Sequence, residues 1–311
     1  MLPQFTDTPA YIAGRGAPEI AEGAAALAER HGVRGPLRRA TLGFNPVFLG
    51  DDAAIKLYAP PYVAYWELER EALEWVGGRL PVAIPELRVA GELEGWRYAV
   101  LARVPGRPAW ELWPQLDAAG RERLVAELGA LAAAIHDVSL AGCPSRLVLD
   151  WPAYLGERRA AALQKHRDRG LDEAWVAAIA AFVAGLPPID TWPSRQVLLH
   201  NDLHLDHVHV DGDGRVVGLL DFGDVQVGAA EVEFASVGGF LAPLLPTAAS
   251  TFLRAYGYAD AALTPELARR LTGHVLLHRY CDVAPLLRRF PEASRPRDLE
   301  ALHRRLWDFA A

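Results

Sequence analysis

The sequence predicts an α+β protein of two lobes, the first rich in strands and the second mostly helical. Three observations support this prediction. Short apolar runs separated by tight turns dominate the first hundred residues, and long stretches with helical periodicity dominate the rest. A Pro/Gly-rich connector at 104–109 separates the two regions. We therefore expect an N-terminal lobe at 1–103 and a C-terminal lobe at 104–311.

The composition is that of a globular protein and excludes several classes of function. The 311 residues are 51% hydrophobic and 23% charged. A net charge of −7 argues against nucleic-acid binding, and no apolar run is long enough to span a membrane. Two cysteines are too few for a disulfide framework, so we expect free thiols in a reducing cytoplasm. We also expect the protein to be a monomer.

The first lobe is predicted as one antiparallel sheet preceded by a helix. The helix covers 18–31 and ends at Gly32. The sheet has about five strands and one inserted helix at 62–79, which Gly77 ends. The predicted strands cover 37–43, 45–49, 53–58, 86–91 and 97–103.

The second lobe is predicted as helical with a small insert of strands. The predicted helices cover 116–137, 151–166, 171–186, 246–257, 262–284 and 297–310. The insert has strands at 195–199, 207–210 and 215–220, the last two joined by the hairpin turn 211–214. The loop at 200–207, between the first two of these strands, is the most polar stretch of the chain.

This polar loop reads HNDLHLDH, and the sequence DFGD follows the hairpin at 221–224. A hairpin returns the chain toward its start, so Asp202, His207 and Asp221 can converge. Two metal ligands and a carboxylate suit a divalent cation and a general base.

Three interpretations of this loop compete. The first is phosphoryl transfer, in which one carboxylate orients the acceptor hydroxyl and two further residues hold Mg²⁺. The second is a zinc site, because His200, His204, His207 and His209 lie within ten residues. The third is a polar loop with only structural hydrogen bonds. The spacing favours phosphoryl transfer, since protein kinases place a metal ligand five residues after the catalytic Asp and a D-F-G further on.

The chain resembles the aminoglycoside phosphotransferase family, which has a protein-kinase-like fold. The family loop H-G-D-L-H-x-x-N matches 200–207 except at Asn201 and His207, and its metal strand resembles 219–222. Further segments resembling the family occur in family order at 54–57, 68–75, 80–85 and 134–136. The resemblance covers about residues 37–240 and implies an enzyme that uses ATP or GTP with Mg²⁺ or Mn²⁺.

The resemblance also implies a role for individual residues. Asp202 would be the catalytic base, and Asp221 and His207 the metal ligands. His207 stands where the family usually has Asn, which predicts an altered metal preference because imidazole suits Mn²⁺ or Zn²⁺ better than Mg²⁺. We also expect Glu233 to brace the catalytic loop by hydrogen bonds.

The nucleotide site is assigned to the first lobe. Lys56 would contact the α- and β-phosphates and pair with Glu71. Thr41 and Asn45 would belong to the phosphate loop, while backbone groups of Ala102 and Val104 would meet the adenine. These assignments are implied by the resemblance.

Lysine is rare in this chain, since 30 of the 32 basic residues are arginine. Each remaining lysine is therefore a place to ask whether an arginine fork would fail. Lys56 falls at the position where the resemblance implies an ammonium. Lys165, in the polar stretch 164–169, is predicted to be an ordinary surface residue.

The acceptor is predicted to be a hydroxylated, cationic small molecule. Asp206, Asp224 and Glu231 are candidate acceptor residues, because an acidic site attracts a polycation. The strings at 44–50 and 221–225 are similar to hygromycin B phosphotransferases, which makes that aminoglycoside the leading prediction. A macrolide or amino-alcohol kinase, and a non-catalytic nucleotide sensor on the same fold, are the alternatives.

Overall fold

The computed structural model describes residues 1–310 except Leu42, 189–190, 194 and 292–298. Contacts divide the chain into two compact units. The first comprises Met1–Pro105 and Gly218–Val225, and the second comprises Gly106–Val217 and Gln226–Ala311. The first unit therefore includes a short segment that the sequence analysis assigned to the second lobe.

The described part of the first unit contains a five-stranded sheet whose spatial order is β1-β2-β3-β5-β4. All four neighbouring pairs are antiparallel, as predicted. The strands are β1 (Arg38–Arg39), β2 (Val47–Leu49), β3 (Ala53–Tyr58), β4 (Leu87–Leu93) and β5 (Trp96–Ala102). The first two are shorter than predicted.

The helices of the first unit are α1 (Thr8–Gly14), α2 (Pro18–His31) and α3 (Val63–Val76). Helix α2 has the predicted bounds because Pro18 opens it and Gly32, at φ 65°, ends it in the left-handed region. Helix α1 was not predicted; Asp7 caps its N-terminus. The core of the unit joins the apolar face of α2 to β3 and β5 through Ile20, Leu27, Ile55, Leu57 and Trp96.

The second unit is mostly helical, as predicted. Its helices are α4 (Ala109–Leu112), α5 (Ala118–His136), α6 (Trp151–Asp168), α7 (Glu173–Ala184), α8 (Ala248–Tyr256), α9 (Pro265–Leu277), α10 (Val283–Arg289) and α11 (Leu299–Leu306). Side-chain oxygens of Asp117, Asp150 and Thr264 cap three of them. Helices α5 and α8 cross closely at Gly129, where an added Cβ would lie 2.2 Å from the Phe252 carbonyl oxygen.

The predicted helix 262–284 is wrong as a single element. Helix α9 ends at Leu277 because His278 is extended, at φ −62° and ψ 138°. Helix α10 then begins at Val283, which leaves His278–Asp282 as a non-helical segment. The predicted helix 297–310 is seen as α11, and its first two residues lie outside the described part of the chain.

The remaining described strands are β6 (Arg107–Pro108), which lies within the connector, β7 (Gln196–Leu199), β8 (Val208–Val210), β9 (Val216–Leu219) and β10 (Gln226–Ala229). Strand β7 pairs antiparallel with β10, and β6 pairs antiparallel with β8. Neither β6 nor β10 was predicted. Among the described helices, none has the length and apolar character needed to cross a bilayer.

Candidate active site

The first group of candidate residues is a charge cluster around the buried Lys56 on the central strand β3, within the first unit. The Lys56 ammonium lies 2.7 and 3.0 Å from the two carboxylate oxygens of Glu69 and 2.8 Å from Oδ1 of Asp221. The Tyr58 hydroxyl donates to Glu69 Oε2 at 2.7 Å. Lys56 and Tyr58 share one face of β3 because side chains two residues apart on a strand point the same way.

The prediction that Lys56 pairs with Glu71 is wrong, because the carboxylate in contact is that of Glu69. Successive helical residues are about 100° apart, so residues two apart lie on nearly opposite sides of α3. Glu69 is only 3% exposed, whereas the Glu71 carboxylate lies 3.7 Å from the Arg70 guanidinium. The helix and the strand are those that the resemblance implied; only the register within the helix differs.

Two neighbouring carboxylates stabilise the protonated, charged form of Lys56. Burial by itself would lower the pKa of Lys56, but Asp221 and Glu69 outweigh that effect and raise the pKa well above its ordinary value. The ammonium therefore remains charged at neutral pH. Such a fixed cation at the centre of a sheet is suited to an anionic ligand such as a phosphate.

Asp221 is held in an unusual backbone conformation at the end of β9. Its φ of 62° lies in the left-handed region, which a non-glycine residue rarely adopts. The following turn, Phe222–Asp224, is anchored by the buried Phe222 ring. Strain of this kind persists only where the surroundings fix it, and it is concentrated at functional sites.

A second group of candidate residues lies in the loop that follows β7, in the second unit. Asn201 has φ 65°, which explains why the family motif has glycine here, since Asn is among the residues that best tolerate this conformation. The Asp202 carboxylate lies 3.1 Å from His204 Nε2 and 3.4 Å from His207 Nδ1. Burial would raise the pKa of Asp202, but the hydrogen bond from His204 and the proximity of His207 outweigh burial and lower the pKa. Asp202 is therefore an ionised carboxylate at neutral pH.

Glu233 fixes the backbone of this loop by two hydrogen bonds. Its Oε2 accepts the backbone N–H of His200 at 2.6 Å, and its Oε1 accepts that of Asn201 at 3.0 Å. The carboxylate is 1% exposed. A buried carboxylate that accepts two backbone N–H groups fixes the path of the chain immediately before Asp202, as expected from the sequence.

The tautomer of His207 decides whether it could bind a metal. Its Nδ1 lies 2.9 Å from the backbone oxygen of Asp202, and a carbonyl oxygen only accepts, so Nδ1 carries the proton of the neutral ring. The lone pair therefore resides on Nε2. A histidine that donates from one nitrogen to a carbonyl and offers the other to a cation is the usual arrangement of a metal ligand. His207 thus fits a divalent cation chemically.

A metal site made of Asp202, His204 and His207 is less consistent with the hydrogen bonds. One ligand atom from each of these residues lies within 4.8 Å of the others. However, His204 donates from Nε2 to Asp202, while its Nδ1 accepts the backbone N–H of Asp206 at 3.3 Å. Both of its nitrogens are then engaged within the loop, which weakens the zinc hypothesis.

The predicted nucleotide residues all lie in the first unit. Thr41 is exposed, and Asn45 carries a buried side-chain oxygen that lacks a hydrogen-bond partner among the described residues. Ala102 ends β5 and donates its N–H to the Glu86 carbonyl at 2.8 Å. Val104 is buried.

The predicted acceptor residues have different surroundings. Asp206 belongs to the Asp202 loop and its side chain is 43% exposed, while Asp224 ends the turn after Asp221. Glu231 is buried and forms a two-pronged ion pair with Arg270, at 2.8 and 3.1 Å. It lines a cavity of about 630 Å³ in the second unit together with Tyr258.

Comparison with known proteins follows this geometry. The sequence profile described as "Phosphotransferase enzyme family" matches residues 37–269, so the chain belongs to that family and is a phosphotransferase. A search of curated protein sequences found no match.

Solved structures with the same fold include aminoglycoside and macrolide phosphotransferases. The ADP-bound aminoglycoside phosphotransferase APH(2'')-Ib is 14% identical, with a TM-score of 0.58 over 93% of this chain and 96% of that chain. The macrolide 2'-phosphotransferase MphH from Brachybacterium faecium is 20% identical, with a TM-score of 0.61 over 93% and 98%. The GDP and kanamycin complex of APH(2'')-IIIa is 18% identical, with a TM-score of 0.65 over 87% and 90%. The kinase-like fold predicted from sequence is confirmed.

Proposed function

We propose that this phosphotransferase moves the γ-phosphate of ATP or GTP to a hydroxyl group of an aminoglycoside-type antibiotic, with hygromycin B as the leading candidate. The observation that carries the proposal is Asp202, an ionised carboxylate fixed by Glu233 and flanked by two histidines. A carboxylate in that state can orient an acceptor hydroxyl and take its proton late in the loose transition state of phosphoryl transfer. We place the enzyme in the cytoplasm as a monomer.

The other residues bind and orient the nucleotide in this proposal. Lys56, oriented by Glu69, contacts the phosphates of the donor, and Thr41 and Asn45 cover them. The N–H groups of Ala102 and Arg103 already donate to carbonyls, so the Val104 N–H and the carbonyls of this segment are assigned to the base. His207 and Asp221 would hold Mg²⁺ or Mn²⁺, which neutralises charge on the phosphates when bound.

The acceptor is assigned to two carboxylates that closely follow Asp202 and Asp221 in the chain. Asp206 and Asp224 carry this role in the proposal, because polycationic aminoglycosides bind to surfaces with negative charge. Glu231 is given a structural role, since its two oxygens already accept from the Arg270 guanidinium.

The direct test is a nucleotide-consumption screen against hygromycin B, kanamycin, streptomycin, a macrolide and simple amino alcohols, with ATP and GTP each as donor. We expect hygromycin B to stimulate turnover at least about tenfold over the rate without acceptor. Asp202→Ala serves as the control. Stimulation by amino alcohols alone would contradict the antibiotic assignment, and stoichiometric zinc that resists dialysis would favour the zinc-site interpretation of the loop.

A macrolide is the second candidate acceptor. It is supported by the macrolide 2'-phosphotransferases among the solved structures with this fold. In the same screen, stimulation by the macrolide but by no aminoglycoside would select this candidate. Tight nucleotide binding with no turnover on any acceptor would instead favour a sensor.

Replacing His207 by Asn tests the proposed metal role. We expect the variant to keep activity with Mg²⁺ while the ratio of Mn²⁺- to Mg²⁺-supported rates falls about threefold or more, because an amide oxygen suits Mg²⁺ better than imidazole does. Rates are measured over a titration of each metal at saturating nucleotide. An unchanged ratio would argue that His207 does not contact the metal. The ratio is its own control, since a general loss of activity lowers both rates.

A further inference from the structure

Lys165 does not lie free in solvent, which is the opposite of what its polar neighbours predicted. Its ammonium donates to three backbone carbonyls, those of Leu276 at 3.1 Å, His278 at 2.6 Å and Cys281 at 3.0 Å. These carbonyls belong to the end of α9 and to the non-helical segment His278–Asp282. A residue at the end of α6 therefore holds a segment more than a hundred positions later in the chain.

The chemistry of this contact requires lysine. An ammonium has three N–H donors in a tetrahedral arrangement, and each meets one carbonyl, whereas a guanidinium fork is planar. Burial lowers the pKa of Lys165 to about 8, so the third proton is still present at neutral pH. The cation also lies at the C-terminus of α9, where the helix dipole favours positive charge. Both lysines of this arginine-rich chain thus occupy sites shaped for an ammonium.

The segment that Lys165 holds carries His278, which is buried and contacts the Asp202 loop. His278 Nε2 lies 3.2 Å from the backbone oxygen of Asn201, so it is the donor nitrogen. Its Nδ1 accepts the Tyr280 N–H at 3.3 Å and lies 3.4 Å from the Cys281 sulfur. Burial lowers the pKa of His278 to about 4, which keeps the ring neutral. One tautomer satisfies every contact.

The backbone of Asn201 is consequently held from both sides. Its N–H donates to Glu233 at 3.0 Å, and its carbonyl accepts from His278. This carbonyl belongs to the peptide that joins Asn201 to Asp202, so its direction sets the direction of the Asp202 side chain. The clamp acts on a residue at φ 65°, in the left-handed region, which Asn tolerates better than most residues but which the two hydrogen bonds hold in place.

We propose that Lys165 and His278 are positioning residues for phosphate transfer: Lys165 fixes the segment His278–Asp282, and His278 fixes the peptide before Asp202. This inference rests on the proposed role of Asp202 as the base. Neither residue contacts the reacting atoms. Their effect is on the rate of transfer, since a displacement of about 1 Å in a catalytic group can cost about a hundredfold.

The donor function of His278 is tested with a matched pair of variants. Gln places an N–H near the position of Nε2, while Ala removes the donor. We expect His278→Ala to lower kcat about tenfold or more with the nucleotide KM within about twofold, and His278→Gln to retain at least about half of the wild-type kcat. Turnover is measured with the acceptor found in the screen and also as hydrolysis with water as acceptor. Equal losses in the two variants would overturn the donor role.

The role of Lys165 is tested with the variants Lys165→Met and Lys165→Arg. Arg167→Met serves as the control for the loss of a cation from the same helix. Arg167 pairs with Glu173 at the exposed side of the same helix. We expect Lys165→Met and Lys165→Arg to lower kcat about tenfold, and Arg167→Met to leave it unchanged. Wild-type kcat in a folded Lys165→Met protein would overturn the proposal. If Lys165→Met has a much lower melting temperature than the wild type, the comparison of His278→Ala with His278→Gln decides the proposal instead.

A spectroscopic readout separates this inference from the proposed function. In the full chain labelled with ¹⁵N-histidine, the signal lost in His278→Gln identifies His278, and we expect it to report the Nε2–H tautomer. The signal should shift in Lys165→Met and stay in place in Arg167→Met. The opposite tautomer, or a signal insensitive to Lys165, would overturn the inference. Failure of the proposed function would appear differently, as wild-type protein that no acceptor stimulates.

Discussion

Replacing Asp202 by Asn is expected to lower kcat for phosphate transfer about 10²–10⁴-fold, with the nucleotide KM within about twofold. The amide keeps the shape of the carboxylate and can still accept the hydrogen bond from His204, so the loop retains its conformation. It cannot take a proton from an acceptor hydroxyl. Because the base acts on the transition state and not on donor binding, the loss belongs in kcat.

The control for this variant is Asp213→Asn, which makes the same change at the exposed turn of the next hairpin. It should leave kcat and stability unchanged, since surface substitutions of this kind shift stability by less than about 0.5 kcal/mol. Rates are compared at saturating nucleotide and acceptor, and folding is checked by thermal melting. A folded Asp202→Asn enzyme with more than about a tenth of wild-type kcat would remove Asp202 from the role of base.

Much of the fold could be predicted because local signals and tertiary structure agree. Pro18 and Gly32 mark the ends of α2, and short apolar runs between turns mark β3 and β5. Helix α9 is the counter-example. Its predicted continuation through 278–282 has no proline or glycine to stop it, and it ends where Lys165 and Asn201 bind the chain. A tertiary contact of this kind leaves no local signal in the sequence.

The two errors at the site have different origins. Glu69 could have been found, because it is four residues before Leu73 and seven before Val76, the buried stripe of α3. A carboxylate on that stripe faces the sheet, whereas Glu71 does not. Lys165 could not have been found. Its carbonyl partners are more than a hundred residues away, and its neighbours in sequence are those of a solvated helix surface.

The Glu69 assignment leads to a second large effect, in which two carboxylates of one helix behave differently. Glu69→Gln is expected to lower kcat/KM for the nucleotide about tenfold or more, because Lys56 loses the carboxylate that orients it toward the phosphates. Glu71→Gln makes the same chemical change two residues later and should leave kcat/KM within about twofold. Initial rates over a nucleotide titration measure both. The reverse ranking would restore the pairing with Glu71.

Lys56 itself should tolerate neither Arg nor Met. We expect Lys56→Arg to lower kcat/KM about a hundredfold, because a planar fork cannot contact Glu69 and Asp221 in the space that an ammonium fills.

Lys56→Met leaves the buried Glu69 carboxylate without its cation, and breaking a buried pair costs about 3–5 kcal/mol of stability. The double variant Lys56→Met/Glu69→Gln should recover part of the lost stability, because the uncompensated carboxylate charge is then removed. Thermal melting of Lys56→Met, Glu69→Gln and the double variant tests this expectation. A double variant no more stable than Lys56→Met would mean that the unpaired Glu69 charge is not the source of the lost stability. Such a recovery of stability without recovery of turnover would separate the two roles of the cluster: the charge balance stabilises the fold, and only the ammonium acts on the phosphates.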